Sequence, residues 1–437
     1  EIQPVYPMAI SRPPLPPNLK WLSPEFLEML SFAIETGRRL GLTVDITLGS
    51  GWPFGGPHIP KRLAARKIYS LSWDLEAGQV WRLSDHKLEQ DEQIELLVAL
   101  QLVDGKPALD RAVQLTDTAS PEFEWTAPEG RWRIVMYISG FTRQRVKRAT
   151  VGAEGWVADH FSREAMETHF RCVGEKLAEA ADGRVRCYFS DSWEVFSANW
   201  TDGFLDIFRE RRGYDLRPYL PAIEYFVEGV TPAVRYDFYR TLSELVLESY
   251  IVPMREWCRS KGAYSRVQAH AGTPADIIKC YGESDIPECE TGTNADSPIL
   301  YRTPKFAASA ARLYGRKEVS CEIFTHLRRP RFLVNPRMMK VAAERAYCHG
   351  VNHLIYHGYS YSPRLLGTPG WVFYASTMVN HNNTWWRHIK ELNKWLSTIA
   401  SRLHKARSTA DFIVYTSLAD TRCRKNRDYR PSSVGLL

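Results

Sequence analysis

The chain has 437 residues, a formal net charge of +7, 44% hydrophobic and 24% charged residues, the proportions of a globular protein with room for a barrel-sized domain and additions. No apolar run approaches the roughly 18 residues of a membrane span. The basic residues are scattered, and the densest groups, RERRGYDLR and HLRRPR, lack the interleaved aromatics of a nucleic-acid surface, which argues against such a partner. None of the eight cysteines forms a C-x-x-C pair, so a zinc knot is not expected and buried free thiols are. No signal peptide is visible, and the chain starts at Glu1.

In chain order, EIQPVY reads as a first strand. The helical pattern SPEFLEMLSFAIETGRRLG follows, with Ser23 as N-cap, Pro24 at the first helical position and Gly41 at the stop. It leads into LTVDITLGSGWPFGGP. From residue 61 to 148 helical patterns give way to short alternating runs separated by turns (IYSLSWDL, QVWRLS, IELLVALQLV, FEWTA, RWRIVMYISG), which predict an inserted antiparallel β-domain resembling a sandwich. Apolar runs separated by helices then resume: RVRCYFSDSWE, YSRVQAHAGTP, SDIPECETGT, EVSCEIFTHL and NHLIYHGYSYSP. Strands buried on both faces and alternating with helices predict a parallel α/β sheet. Polar residues at successive strand ends favour a (β/α)₈ TIM-type barrel over a Rossmann sheet. Seven strands are countable, so the barrel is expected to lack its first strand. The expected organisation is an opening barrel segment at 1–60, the β-insertion at 61–148, the remainder of the barrel with the catalytic residues at 149–381, and a helix and the strand DFIVYTSL beginning a further element at 382–437.

Catalytic groups of barrel enzymes sit at the C-terminal strand ends. Those ends carry Asp191 and Glu194, His270, Glu288 and Glu290, Glu322, and finally His357 and Tyr359. Taken singly, Asp191 could cap a turn, Glu194 could be solvated, and Glu290 could pair with an arginine. Glu322 stands inside the apolar run SCEIF, where a lone carboxylate is costly and needs a partner or a function. Converging acids suit glycoside hydrolysis, in which one protonates the leaving oxygen and the other activates water or attacks carbon. They could equally hold a hard cation such as Ca²⁺ or Mg²⁺. The 14 Trp suit core packing and, to some extent, stacking against the apolar face of a sugar. GSGWPFGGP lacks the Lys-Ser/Thr ending of a phosphate loop. Ser50 sits in G-S-G and not in a nucleophile elbow.

The ordered motifs TLGSGWPFGGP, DSWEVFSANWTDGF, RERRGYDLRPYLPA, QAHAGTPADI, DIPECET, CEIFTH, HGYSYSP and NNTWW resemble glycoside hydrolase family 106, the α-L-rhamnosidases, from Glu1 to about Trp386. The resemblance implies an inverting hydrolase on a modified (β/α)₈ barrel that removes terminal α-L-rhamnose from plant or microbial glycans. It places the acid on Glu322 and the base on Glu194. Substrate contacts are expected from Asp191, Trp193, Trp52, His270, His357, Tyr359 and Trp385. Calcium is implied as cofactor, with Glu290 and Asp191 as candidate ligands. The partner would be a rhamnose-containing oligosaccharide or glycoside, and a periplasmic or extracellular location is favoured. Rival readings are a non-catalytic carbohydrate-binding protein, a glycosidase for another deoxysugar, and a metal-dependent hydrolase of another class.

Overall fold

The structure is a computed structural model that describes residues 1–5, 18–115, 122–270, 272–293, 299–327, 332–407, 409–413 and 415. Its organising element is a curled parallel sheet of half-barrel form. The sheet begins with β1 (Asp45–Thr47). The chain then leaves it for β2 (Gly55–Gly56), β3 (Arg66–Leu75), β4 (Val80–Arg82), β5 (Gln93–Val103), β6 (Lys106–Gln114), β7 (Glu124–Thr126), β8 (Trp132–Phe141) and β9 (Trp156–Val157). It returns through β10 (Cys187–Ser190), β11 (Tyr264–Val267), β12 (Ile286–Gly292), β13 (Ser320–Thr325) and β14 (His353–Tyr356). The parallel order is β1-β10-β11-β12-β13-β14. The opening segment lies beside β1 as an isolated parallel bridge, Ile2 with Ile46. There Ile2 donates its N–H to Asp45 O at 2.9 Å and accepts from Thr47 N at 3.0 Å. All seven predicted segments therefore run parallel in one sheet or along its edge.

The helices are α1 (Pro24–Arg39), α2 (Arg163–His169), α3 (Glu175–Ala181), α4 (Phe204–Arg212), α5 (Leu220–Glu224), α6 (Thr231–Val246), α7 (Val252–Ser260), α8 (Ile277–Glu283), α9 (Ile299–Leu313), α10 (Pro336–Cys348) and α11 (Ile389–Lys405). From β10 onward each sheet strand is followed by at least one helix, the alternation that buries both faces of a parallel sheet. α1 starts as the sequence signals: Ser23 Oγ accepts from Phe26 N, and Pro24 occupies the first helical position, where its absent N–H costs nothing. π-helical turns at Phe170–Gly174 and Leu247–Ile251 join α2 to α3 and α6 to α7.

Between β1 and β10 lies the β-insertion, a four-stranded antiparallel sheet ordered β3-β8-β5-β6 with a β4–β7 ribbon. Alternation in β5 and β8 serves two cores. Leu96, Val98, Leu100, Val135 and Tyr137 join the main core. Leu97, Ala99, Ile134, Met136 and Ile138 pack with Trp81 of the ribbon and Trp132. On that side the two-stranded ribbon covers the sheet, and Tyr69, Trp73 and Leu75 of β3 pack there with Trp81 and Trp125 of the ribbon. The insertion is tied to the segment after β10. Asn199 Oδ1 accepts from Ile68 N at 2.7 Å, its Nδ2 donates to Ile68 O at 3.1 Å, and Arg66 pairs with Trp200.

α11 accounts for the helix expected after residue 382. Asp411–Ile413 and Tyr415 of DFIVYTSL are not in a strand, and the remainder of that prediction lies outside the described residues. Seven cysteines are free thiols, five of them buried, and Cys423 lies outside the described residues. No described helix is long and apolar enough to cross a membrane.

Candidate active site

The strand register sets the acids in two layers. β12 and β13 align Glu288 with Ser320 and Glu290 with Glu322. Residues paired in a parallel ladder point to one face, as do positions two apart along a strand. Glu288 is completely buried in the lower layer. It is flanked by the fully buried Arg266, whose Nε lies 3.2 Å from Glu288 Oε2 and whose Nη1 lies 3.4 Å from Asp45 Oδ2. Arg266 also pairs with Glu1, and Ser320 Oγ donates to Glu288 Oε2 at 2.7 Å. Glu288 therefore belongs to the floor, and the expectation that it reaches the mouth is corrected. A buried carboxylate this deep has to be compensated locally, and Arg266 is the compensation.

Two residues beyond Arg266 stands Gln268, whose Nε2 donates to Glu288 Oε1 at 3.0 Å and to Glu322 Oε2 at 2.8 Å. It joins floor to mouth. Arg266, Gln268 and His270 recur at every second position of YSRVQAH. That polar stripe on a buried strand was a readable signal for interior residues, though only His270 was singled out.

Glu322 accepts additionally from Thr325 Oγ1 at 3.2 Å and lies 3.3 Å from His357 Nδ1. Residues three apart on a regular strand face opposite sides. Here the β12–β13 register shifts, with Thr291 opposite Ile323 and Gly292 opposite Thr325, and Phe324 takes φ +74°. The extra residue turns Thr325 back to the side of Glu322. A left-handed aromatic residue is an unfavourable conformation retained beside the site. Burial, then the fields of Glu290 and Asp191, push the Glu322 carboxyl well above the ordinary carboxylate range. Burial also pushes the neighbouring His357 downward, against the fields of Glu290 and Glu1.

Asp191, just past β10, accepts from Gln3 Nε2 at 2.8 Å and from Ser192 N at 2.7 Å. Burial, with Glu290 and Glu1 adding like charge, raises it to about 7. Burial also pushes Glu290 upward, but the hydrogen bond from His270 Nε2 (3.4 Å) and the fields of His270 and His357 outweigh it and hold Glu290 low. Neighbouring acids are thus driven to different protonation states, the condition for dividing acid and base roles. Asp191 and Glu290 are hard oxygen donors whose mutual repulsion a divalent cation would relieve. Among the described residues, no group of three or more His, Cys, Asp or Glu side chains is placed to hold a metal.

Glu194 has a separate set of partners. Its Oε2 accepts from Trp52 Nε1 at 3.1 Å and pairs with Lys147 Nζ. The two carboxylates are connected by rings. Trp52 lies 6.3 Å from Phe373, Phe373 lies 5.3 Å from His357, and His357 contacts Glu322. Trp52 and His357 therefore sit with the acids, joined by Phe373, Gln268, Thr325 and Lys147, which sequence reasoning did not single out. Trp193 does not line the mouth. It is buried against His160, Phe161 and Tyr250, and its backbone N–H donates to His270 O at 3.1 Å, so of the two roles its position leaves open, shaping the sugar pocket or packing, it takes packing. Trp385 donates Nε1 to Val334 O at 2.9 Å and packs against the core. Tyr359 is exposed beside Trp386 at 5.9 Å. Among the described residues, neither side chain has a hydrogen bond or ring contact with the acids.

The model of glycoside hydrolase family 106, described as alpha-L-rhamnosidase, matches residues 97–424, three quarters of the sequence. The chain belongs to this family. A protein of Formosa agariphila named "Putative beta-glucuronidase" is 26% identical to this family member over 440 residues, covering 91% of this chain and 37% of that protein. A solved structure of a rhamnosidase from Novosphingobium sp. PP1Y shares the fold, with TM-score 0.66 and 17% identity over 91% of this chain and 56% of that one. The chain thus spans little more than a third of the first relative and just over half of the second.

Proposed function

We propose that this family member removes terminal α-L-rhamnose from rhamnose-containing glycosides by single-displacement hydrolysis with inversion, and that its parallel sheet is the wall of a (β/α)₈-type barrel carrying an inserted β-domain at 61–148. Glu322 is the general acid and Glu194 the general base. The observation that carries the reading is the contrast between the partners of two carboxylates that are linked through Trp52, Phe373 and His357. Glu322 is kept protonated by burial among other acids, while Glu194 is held by a cation and an indole N–H. Glu322 gives its proton to the glycosidic oxygen as the anomeric C–O bond breaks. Glu194 takes a proton from the water that attacks the anomeric carbon from the opposite face, so the hemiacetal product has inverted configuration. For that water to fit, the carboxyl groups should lie about 6.5–9.5 Å apart. Asp191 and Glu290 would hold Ca²⁺, which would supply orientation of substrate hydroxyls.

NMR of the first product anomer from an aryl α-L-rhamnoside tests the reading. Initial release of the inverted anomer supports it, and initial release of the retained anomer overturns it. A second reading, a uronoside as substrate, is favoured by the name of the Formosa agariphila relative. A panel of aryl rhamnosides, fucosides and glucuronides separates the two, and turnover of none would favour a carbohydrate-binding role.

A further inference from the structure

Glu194 is a poor candidate for a self-positioned residue. It lies past the end of β10, outside any strand or helix, and its φ of +26° is strained for a side chain with a Cβ. Something must hold it, and most of the contacts come from one place, the segment that leaves the β-insertion after β8. Gln144 Nε2 donates to Glu194 O at 2.7 Å, while Gln144 Oε1 accepts from Phe196 N at 2.7 Å. The amide thus brackets the backbone on both sides of Val195. Three residues on, Lys147 pairs with Glu194 Oε2, and its ammonium lies 4.2 Å from the centre of the Phe196 ring. Lys147 is itself fixed by antiparallel pairing with Trp52: Trp52 N donates to Lys147 O at 3.1 Å, and Lys147 N donates to Trp52 O at 2.8 Å. The indole of the same Trp52 donates to the same Oε2.

Both side-chain donors therefore converge on one carboxylate oxygen, and Oε1 has no hydrogen-bond partner among the described residues. We infer that Lys147 is a positioning residue for the general base, anchoring Glu194 through Oε2 so that Oε1 faces the attacking water. The inference rests on the assignment of Glu194 as base and adds a role for the β-insertion: its exit strand delivers the anchor. Lys147 acts only on the water-activating arm. Proton delivery from Glu322, which is held by Gln268, Thr325 and His357, does not involve it.

The experiment measures kcat and KM of the full-length enzyme on two aryl α-L-rhamnosides, one with a good and one with a poor leaving group, for Lys147→Met, Lys147→Arg, Glu194→Gln and the double variant Lys147→Met/Glu194→Gln. Misplacing a reacting group by about 1 Å costs on the order of 10²-fold. Lys147→Met should therefore lower kcat by about that factor, equally on both substrates, with KM within about twofold. Lys147→Arg should recover most of the loss. In the Glu194→Gln background, Lys147→Met should add little, because the two residues act as a unit. Full activity of Lys147→Met beside an inactive Glu194→Gln overturns the anchoring role and leaves the base in place. An active Glu194→Gln overturns the base assignment itself. If Lys147→Met loses its cooperative thermal transition, Lys147→Gln is judged by the same criteria.

Discussion

The acid role of Glu322 makes a demanding prediction for Glu322→Gln. The amide has nearly the volume of the carboxyl, so no cavity forms. Rotated so that its oxygen meets Gln268 Nε2, it keeps the 2.8 Å bond and turns its NH₂ toward Thr325 Oγ1 and His357 Nδ1. A neutral His357, which burial favours, can accept there. Folding stability should therefore change by less than about 1 kcal/mol or rise, since a group crowded by Glu290 and Asp191 can no longer ionise. Catalysis should not be spared. General acid assistance contributes about 10²–10⁴-fold, or about 3–5 kcal/mol of barrier, and the substrate draws on it in proportion to the basicity of its leaving oxygen. Measured over a series of aryl rhamnosides, log kcat/KM of Glu322→Gln should fall steeply with leaving-group pKa where the parent enzyme is nearly flat. Parallel lines for the two enzymes, whatever their separation, would refute the acid assignment.

In Asp45, burial pushes the pKa up, but the Arg186 and Arg266 guanidinium groups overcome it and hold the carboxyl at about 2. The stability this supplies is present above its unfolded value near 3.8 and lost as pH falls toward 2. Asp45→Asn should thus be destabilised by about 2–4 kcal/mol at pH 7, with the gap to the parent closing between about pH 4 and 2 in urea titrations. Trp193 is a packing residue, so Trp193→Ala should lose about 3–5 kcal/mol in chemical denaturation, whereas a folded Trp193→Phe should keep KM within about threefold. If Asp191 and Glu290 share a calcium ion, EDTA should weaken rhamnose binding and Ca²⁺ should restore it better than Mg²⁺ in calorimetry. Unchanged affinity after chelation would assign both acids to direct hydroxyl recognition.

What could be read from the sequence was whatever is local. Six strands of the parallel sheet were visible because most are short buried runs ending in polar residues, and the start of α1 because Ser23 and Pro24 mark it chemically. Glu322 stood out because an acid inside SCEIF has no local excuse. Trp193 misled for the opposite reason: beside Asp191 and Glu194 it looks like a member of the site, yet successive residues near a strand end face different ways, and its ring turned to the core. Glu288 misled through its period. It shares a face with Glu290, but one layer lower, and depth along a strand becomes functional only once neighbouring strands are aligned. Arg266, its partner, was written in the same alternation and overlooked because a buried arginine is improbable without knowing which acids surround it.

Lys147 and Phe373 were illegible for a stronger reason. Lys147 meets Glu194 across 47 residues of chain, and Phe373 joins Trp52 to His357 across a still longer separation. No periodicity encodes such meetings; they follow from how the β-insertion docks on the sheet. That docking depends on Asn199 gripping Ile68 and on Arg66 pairing with Trp200, both within the segment that also carries Glu194. One segment thus grips the insertion through Asn199 and Trp200 and receives from it the contacts of Gln144 and Lys147 around Glu194. A substitution that loosens the first contact should blunt the second without touching the acids. Asn199→Ala removes both bonds to Ile68 while leaving the floor around Arg266 and Glu288 intact. It should lower kcat in the manner of Lys147→Met, evenly across leaving groups, and spare the Brønsted slope that reports on Glu322. A changed slope in Asn199→Ala would mean that acid and base are not held independently, and that the insertion supports the whole mouth and not its water-activating side alone.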